Sequence, residues 1–448
     1  MTTKNPKASC TLLLLLLASL LLPPKGAILL AMPRVERVVL PNQLVLLVAE
    51  EHSLPLVTLR LVVDSGSRRD PPGEEGLANL TAQGLLLGTS TYSVTAFREA
   101  LDFMGASLTS WAGRDNTSLG LRVLKKDLDK GFDLFMEALT QPTFPQEEIQ
   151  RQVENTLAAI QSAEDRPGEI ARKAFQSTLF SDNPYGHPVE GTRESLSRIT
   201  RGAILQFHKT YYHANNAILA VVGDITIEEV RARLIPRLSQ WPMGKIPDEH
   251  FTSTFTEEPK TVKIDRNITQ ANLILGHKGI SRKNPDYYAA TIMNYVLGGG
   301  GFGSRLFEEI RVKRGLAYSV ASYFDTGKYP GSFQISLQTK NASAQEAISL
   351  LRQEMERIQR EPVSEEELDK AKKYLIGSFP LRLDTQSKLA RFITQIEYHG
   401  LGLDYCEKYP SYINAVTRED VLRVAKSYLH PGSAILVIVA HLKEAGMR

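Results

Sequence analysis

Two stretches of this chain hold residue types whose spacing could do chemistry. In Gly73-Glu-Glu-Gly-Leu-Ala-Asn-Leu-Thr-Ala-Gln-Gly84, Asn79 and Gln83 stand one helical turn apart. Residues so spaced share a helical face on which a metal could be held. Their types argue against it, because neutral carboxamide oxygens are poor zinc ligands beside imidazole and Ala82 has no group to take a proton from bound water. In Leu297-Gly-Gly-Gly-Gly-Phe-Gly-Ser-Arg-Leu-Phe-Glu-Glu-Ile-Arg-Val-Lys-Arg-Gly-Leu-Ala-Tyr-Ser-Val320, the reactive types are Arg311 and Tyr318. A guanidinium is a rigid fork of donors, and a phenol can donate to a carbonyl or to a developing oxyanion. Gly298, Gly299, Gly300, Gly301 and Gly303 ahead of them allow close backbone approach or a hinge. No Lys-Ser/Thr follows these glycines, which argues against a phosphate loop. The 9 histidines include no pair at helical i, i+4 spacing and no H-x-H, so a metal site elsewhere has no support from spacing. His213 and His430 stand at equivalent helix ends, where a structural capping role is expected.

Both stretches resemble the pitrilysin/insulinase family of zinc metallopeptidases. The first matches the family segment in which Gly-Leu-Ala leads into an H-x-x-E-H motif. On that match, Asn79 and Gln83 fall where the two zinc-binding His stand, and Ala82 where the catalytic Glu stands. The family's last ligand is a Glu lying upstream of an acidic-acidic-x-Pro run, here Glu164-Asp165-Arg166-Pro167, and counting back places Ala159 there. The resemblance therefore implies a degenerate site at Asn79, Ala82, Gln83 and Ala159, with no metal and no general base. The second stretch is similar to the family's C-terminal signature, in which the Arg and Tyr, here Arg311 and Tyr318, hold the substrate backbone. Gly105–Ser118, Gln141–Pro145 and Asn183–Pro188 extend the likeness. In active relatives the first of these contributes an edge strand for peptide substrate, although plain sheet packing would explain it as well.

An internal repeat organises the chain. Thr200–Val222 aligns without a gap with Thr417–Val439, sharing Thr200/Thr417, Arg201/Arg418, Lys209/Lys426, Tyr211/Tyr428 and His213/His430. Each copy reads as an amphipathic helix, a polar turn and a strand. Gly66–Pro72 pairs more loosely with Gly279–Pro285. Strands are expected at 44–48, 56–64, 117–123, 217–222, 272–276, 331–338 and 434–439. Helices are expected at 76–87, 95–104, 128–140, 146–164, 225–240, 285–297, 344–361 and 365–379. The fold class is α+β, with antiparallel sheets. The expected division is an N-terminal peptidase-like domain at 33–240, a Pro/Gly-punctuated linker at 241–259, and a C-terminal domain at 260–448 carrying the Arg/Tyr motif. The resemblance adds that the homologous halves face each other as a clamshell.

With 448 residues, 42% hydrophobic and 23% charged, the chain has an ordinary globular composition, and a net charge of +3 gives no footprint for nucleic acid. Residues 1–31 read as an export signal: Lys4 and Lys7 precede an apolar core, Leu12 to Leu22, that is too short to span a bilayer. A periplasmic protein follows, or one tethered by an uncleaved signal but without a stable membrane span. Removal of the signal would leave Cys406 as the only cysteine and exclude an internal disulfide.

Three functions are consistent with these residues. One is a non-catalytic subunit that binds peptide and lends Arg311 and Tyr318 to a catalytic chain of the same family with an intact H-x-x-E-H, zinc being expected in that partner. Another is a scaffold or peptide-binding protein that kept the fold without any role in catalysis. The third is an independent hydrolase using unrecognised residues. A scaffold has no chemical need for Arg311 and Tyr318, which separates the first reading from the second.

Overall fold

Continuous buried apolar runs in the central strands, giving way to mixed burial at the edges, build two sheets, seen here in a computed structural model that describes residues 32–181, 183–249 and 254–447. The export-signal reading and His250 lie outside the described residues. The first sheet has the order β1-β2-β6-β3-β5-β4 and the second β7-β11-β8-β10-β9. Its strands are β1 (Val35–Val39), β2 (Val45–Glu50), β3 (Leu56–Val63), β4 (Ser107–Ala112), β5 (Thr117–Leu124) and β6 (Ala217–Gly223). Those of the second are β7 (Thr261–Asp265), β8 (Gln270–Lys278), β9 (Ala317–Asp325), β10 (Ser332–Lys340) and β11 (Ile435–Ala440). Strand for strand, β2-β6-β3-β5-β4 is repeated by β7-β11-β8-β10-β9. Even the exception matches, since β2 with β6 and β7 with β11 are the parallel pairs and the other neighbours run antiparallel. The expected antiparallel α+β architecture is thus observed with one parallel pair in each half. β1, β4, β7 and β9 lie outside the expected strand ranges, β4 within the Gly105–Ser118 stretch that the resemblance gave as an edge strand; β1 and β7 are short edge strands without a buried residue, so they lack the apolar run that marks a central strand.

The helices are α1 (Leu77–Gly84), α2 (Val94–Phe103), α3 (Leu128–Thr140), α4 (Gln146–Glu164), α5 (Pro167–Leu179), α6 (Arg201–Tyr211), α7 (Ile227–Arg233), α8 (Tyr287–Asn294), α9 (Ala344–Arg360), α10 (Glu365–Gly377), α11 (Gln386–Tyr398), α12 (Tyr405–Asn414) and α13 (Arg418–Tyr428). The expected helix at 225–240 is broken: α7 ends at Arg233, and a separate turn, Ile235–Leu238, carries Pro236 at its start.

Two helices cross between the halves. α5, from the first half of the sequence, packs on β8 and β11, whereas α11, from the second, packs on β3 and β6. Phe175 of α5 is fully buried among Ile274, Ile435, Val437 and Val439. Gly276 of β8 makes room for it: a Cβ there would stand 2.7 Å from the Phe175 ring and 2.4 Å from the Phe333 carbonyl. A strand covered on both faces must be apolar throughout, and all six residues of β11 are buried. The exchange ties the halves into one body of residues 34–448.

The repeat identities have shared jobs. Thr200 and Thr417 cap α6 and α13 by accepting from Ala203 and Asp420 backbone N–H groups. Arg201 and Arg418 donate to the Phe144 and Val363 carbonyls at 2.7 and 2.6 Å, pinning the chain ahead of α4 and α10. The two histidines differ. His213 Nε2 lies 2.8 Å from the Lys209 carbonyl and closes α6 as expected. His430 does not cap its helix: its backbone N–H donates to His277 Nε2, and its ring meets the His277 ring edge-on. The linker is anchored at three points, with Trp241 buried in the first core, Phe255 against the second, and Glu249 in the ion cluster described below.

Candidate functional site

α1 begins where Asp70 accepts from the Gly76 and Ala78 N–H groups, both at 2.8 Å, and it packs on α4 and α6. Ala82 faces the core and is fully buried. Asn79 is buried, and the Gln83 carboxamide oxygen accepts from Gln152 of α4 at 3.0 Å. Ala159 lies further along α4, exposed. These residues do not fit zinc: the one carboxamide oxygen with a described partner is already spent on a neighbouring side chain, and two of the four positions have no donor atom. Among the described residues no group of three or more His, Cys, Asp and Glu is arranged to hold a metal.

Arg311 and Tyr318 are brought together in the second half, on the turn before β9 and on β9 itself. The chain leaves α8 through a widened turn, in which the Gly300 N–H reaches back to the Tyr295 carbonyl at 2.9 Å. Arg311 sits on a second such turn, Phe307–Val312, where the Lys313 N–H bonds the Glu308 carbonyl at 3.0 Å. Five-residue turns of this kind re-aim side chains and recur at functional sites. The glycines between have two roles. Gly298 abuts β9, where a Cβ would come within 2.5 Å of Ser322 Oγ, and Gly301 adopts a left-handed φ of 57° with open space around it. The wide turns explain why the regular helix expected to 297 stops at Asn294.

The Arg311 guanidinium carbon lies 4.9 Å from the Tyr318 ring centre, 4.8 Å from Phe307 and 5.7 Å from Phe302. Phe302 is 80% exposed and Tyr318 77%. The cations flanking it in sequence have carboxylates: Arg305 grips Glu367 at 2.7 and 2.8 Å, while Lys313 and Arg314 share Glu309. Arg311 has none among the described residues, only rings, which orient a guanidinium without using up its donors.

Sequence reasoning missed the cluster joining the halves. Arg68 bonds Asp64 at 2.7 Å, Glu249 at 2.5 Å and the Asp115 carbonyl, its side chain fully buried. Lys328, on the β9–β10 loop, reaches Asp64 at 3.0 Å, and the Tyr398 hydroxyl at the end of α11 donates to the same carboxylate. Burial opposes ionisation of Asp64, yet Arg68, Tyr398 and Lys328 together hold its pKa down to about 2. Gly66-Ser-Arg-Arg-Asp70 was visible as part of the repeat, but nothing local in the sequence indicates partners so distant.

A model of the insulinase family, peptidase family M16, matches residues 45–193, and a model of the peptidase M16 inactive domain matches residues 198–375. The chain belongs to the M16 family. It is 28% identical to the non-peptidase homolog YmxG of Helicobacter pylori over 88% of this chain and 91% of that one. It is 29% identical to an uncharacterized zinc protease of Rickettsia bellii over 74% and 80% respectively. A crystal structure of a peptidase M16 inactive domain from Pseudomonas fluorescens superposes with a TM-score of 0.84 at 28% identity, covering 91% of this chain and 98% of that one. A Helicobacter pylori protease structure shares the fold at a TM-score of 0.83 and 20% identity, covering 91% and 100%. Membership of the family and likeness to an inactive member fit a non-catalytic subunit. Among the described residues no helix is long and apolar enough to cross a membrane.

Proposed function

We propose that this chain is the non-catalytic subunit of a two-chain peptidase, holding peptide and lending Arg311 and Tyr318 to the active site of a zinc-bearing family partner. The observation that supports this reading is the state of Arg311, which has no carboxylate partner among the described residues and stands beside an exposed phenol. Cleavage of a peptide bond passes through a tetrahedral oxyanion, and donors aimed at that charge lower the barrier. Arg311 and Tyr318 are such donors, and Asn79, Ala82, Gln83 and Ala159 give them no metal to serve in their own chain.

The test is reconstitution. Mixing the purified chain with a family member that retains H-x-x-E-H should produce peptidase activity that neither shows alone, and the complex should persist when Arg311 and Tyr318 are both replaced while its activity does not. Full activity with the double variant would leave the chain as a scaffold.

A further inference from the structure

The exchanged helices differ on the sides turned away from their sheets. On α11 that side presents Lys388, Arg391 and Phe392, which with His399 just past the helix end face Arg282 and Arg382 across a cavity of about 520 Å³. Arg282 lies 3.8 Å from the Tyr287 ring centre and donates to the Tyr405 hydroxyl at 2.8 Å, and Arg382 lies over the Phe379 and Tyr409 rings. Stacking fixes a guanidinium plane without neutralising it. Lys388 is satisfied by Asp384 at 2.7 Å. Among the described residues no carboxylate pairs with Arg282, Arg382 or Arg391, and none lines the cavity. The excess charge is felt in the sheet beneath, where burial and then Arg391 bring Arg60 of β3 down to about 10.

The first half supplies an internal control. α5 and α11 are both 13 residues long, and laying one on the other puts Glu169 at the place of Lys388 and Arg172 at that of Arg391. There the charges are matched: Arg172 bonds Glu169 at 2.6 Å, and Lys173 bonds Glu190 at 3.2 Å. Arg69, which the loose repeat pairs with Arg282, lies 3.5 Å from Asp64 and 3.4 Å from Glu249. The fold therefore does not require unpaired cations at these positions. We propose that the α11 cleft binds the carboxylates of an acidic peptide segment, an inference that rests on reading the chain as a peptide-holding subunit. Guanidinium forks match carboxylates in two-point contact. Leu381, 64% exposed, offers apolar surface beside them, which suits a chain of mixed acidic and apolar side chains better than a bare phosphate.

The experiment uses the full chain without any partner. A short labelled peptide alternating Glu and Leu, and its Gln counterpart, are titrated by fluorescence anisotropy. The Glu peptide should bind about tenfold tighter or more, with the advantage lost in high salt. Arg391→Gln should weaken it by about tenfold and Arg391→Glu by more, with the unfolding midpoint unchanged because Arg391 is exposed and unpaired. Arg172→Gln, at the matched position, should have no effect. Equal binding of the two peptides, or indifference to both Arg391 substitutions, would overturn the proposal. So would displacement of the Glu peptide by inorganic phosphate at lower concentration than by unlabelled peptide, which would mark a phosphate site. None of these outcomes touches reconstitution, and a failed reconstitution leaves this binding standing, so the two readings fall separately.

Discussion

Arg68 and Arg311 stand in the two halves of one repeated architecture, and the chain treats them in opposite ways. Arg68 is sealed from solvent, and its donors are taken up by Asp64, Glu249 and the Asp115 carbonyl. Arg311 is half-exposed, with aromatic faces around it and no acceptor among the described residues. A buried guanidinium is tolerable only when paired, and a surface one usually contributes little wherever it points. Keeping Arg311 oriented by three rings while Arg305, Lys313 and Arg314 around it are neutralised leaves its donors available to a group from outside. One arginine holds the molecule together; the other is presented.

The comparison breaks most visibly at Arg68. Replacing it with Ala leaves Asp64 and Glu249 to their remaining contacts with Arg69, Lys328 and Tyr398, and removing one member of a buried ion pair costs up to about 3–5 kcal/mol. Chemical denaturation should show this loss. Arg311→Ala should cost no more than about 1 kcal/mol, the worth of exposed cation–π contacts. In the reconstituted complex the order reverses: Arg311→Ala or Tyr318→Phe should cut turnover on the order of a hundredfold, the usual effect of losing an oxyanion donor, without preventing association. If Arg311→Ala unfolds the chain as readily as Arg68→Ala does, the distinction between them is void.

Acid sharpens the contrast more gently. Asp64 has a folded pKa near 2, below the ordinary carboxylate value of about 4 that it recovers on unfolding. Because the folded value is the lower one, its contribution is present above about pH 4 and is lost as pH falls toward 2. Glu249 is shifted the same way: burial opposes it, but Arg68 outweighs the burial, so it should reinforce the loss. Stability measured between pH 5 and 2 should therefore decline, and Tyr398→Phe, which removes a hydrogen bond to the charged form, should flatten the decline.

How much of this was legible in the sequence depends on the range over which each feature is encoded. Thr200 and Thr417 cap helices through contacts three residues away, so the repeat showed them directly. The residue types and spacing of Asn79, Ala82 and Gln83 are local properties, so the reading of them as a degenerate site needed nothing beyond the sequence. The missed helices α5 and α11 carry apolar residues that serve the opposite half's sheet, and no local pattern shows which sheet a helix will cover. β9, which holds Tyr318, was missed because its outward positions alternate with only a few buried ones, Ala317 and Val320 among them. The balance between paired and unpaired cations was invisible for the same reason as the ion cluster: Arg68 meets Glu249, and Lys328 meets Asp64, only after the halves close.

The smallest effect is expected at the positions read as a degenerate metal site. Gln83 and Gln152 satisfy each other across α1 and α4 by one neutral hydrogen bond, worth about 1 kcal/mol net. Both side chains are only partly buried, so after Gln83→Ala the freed Gln152 amide can turn to water and the cost should be at most about that figure. Turnover in the reconstituted complex should be unchanged, because nothing in the proposed reaction touches α1. Asn79→Ala should likewise leave turnover unchanged. The control matters because it separates an abandoned site from a remodelled one: if Gln83→Ala lowers turnover as far as Arg311→Ala, then α1 still takes part in catalysis, and the difference between a presented arginine and a silenced helix no longer describes how this chain works.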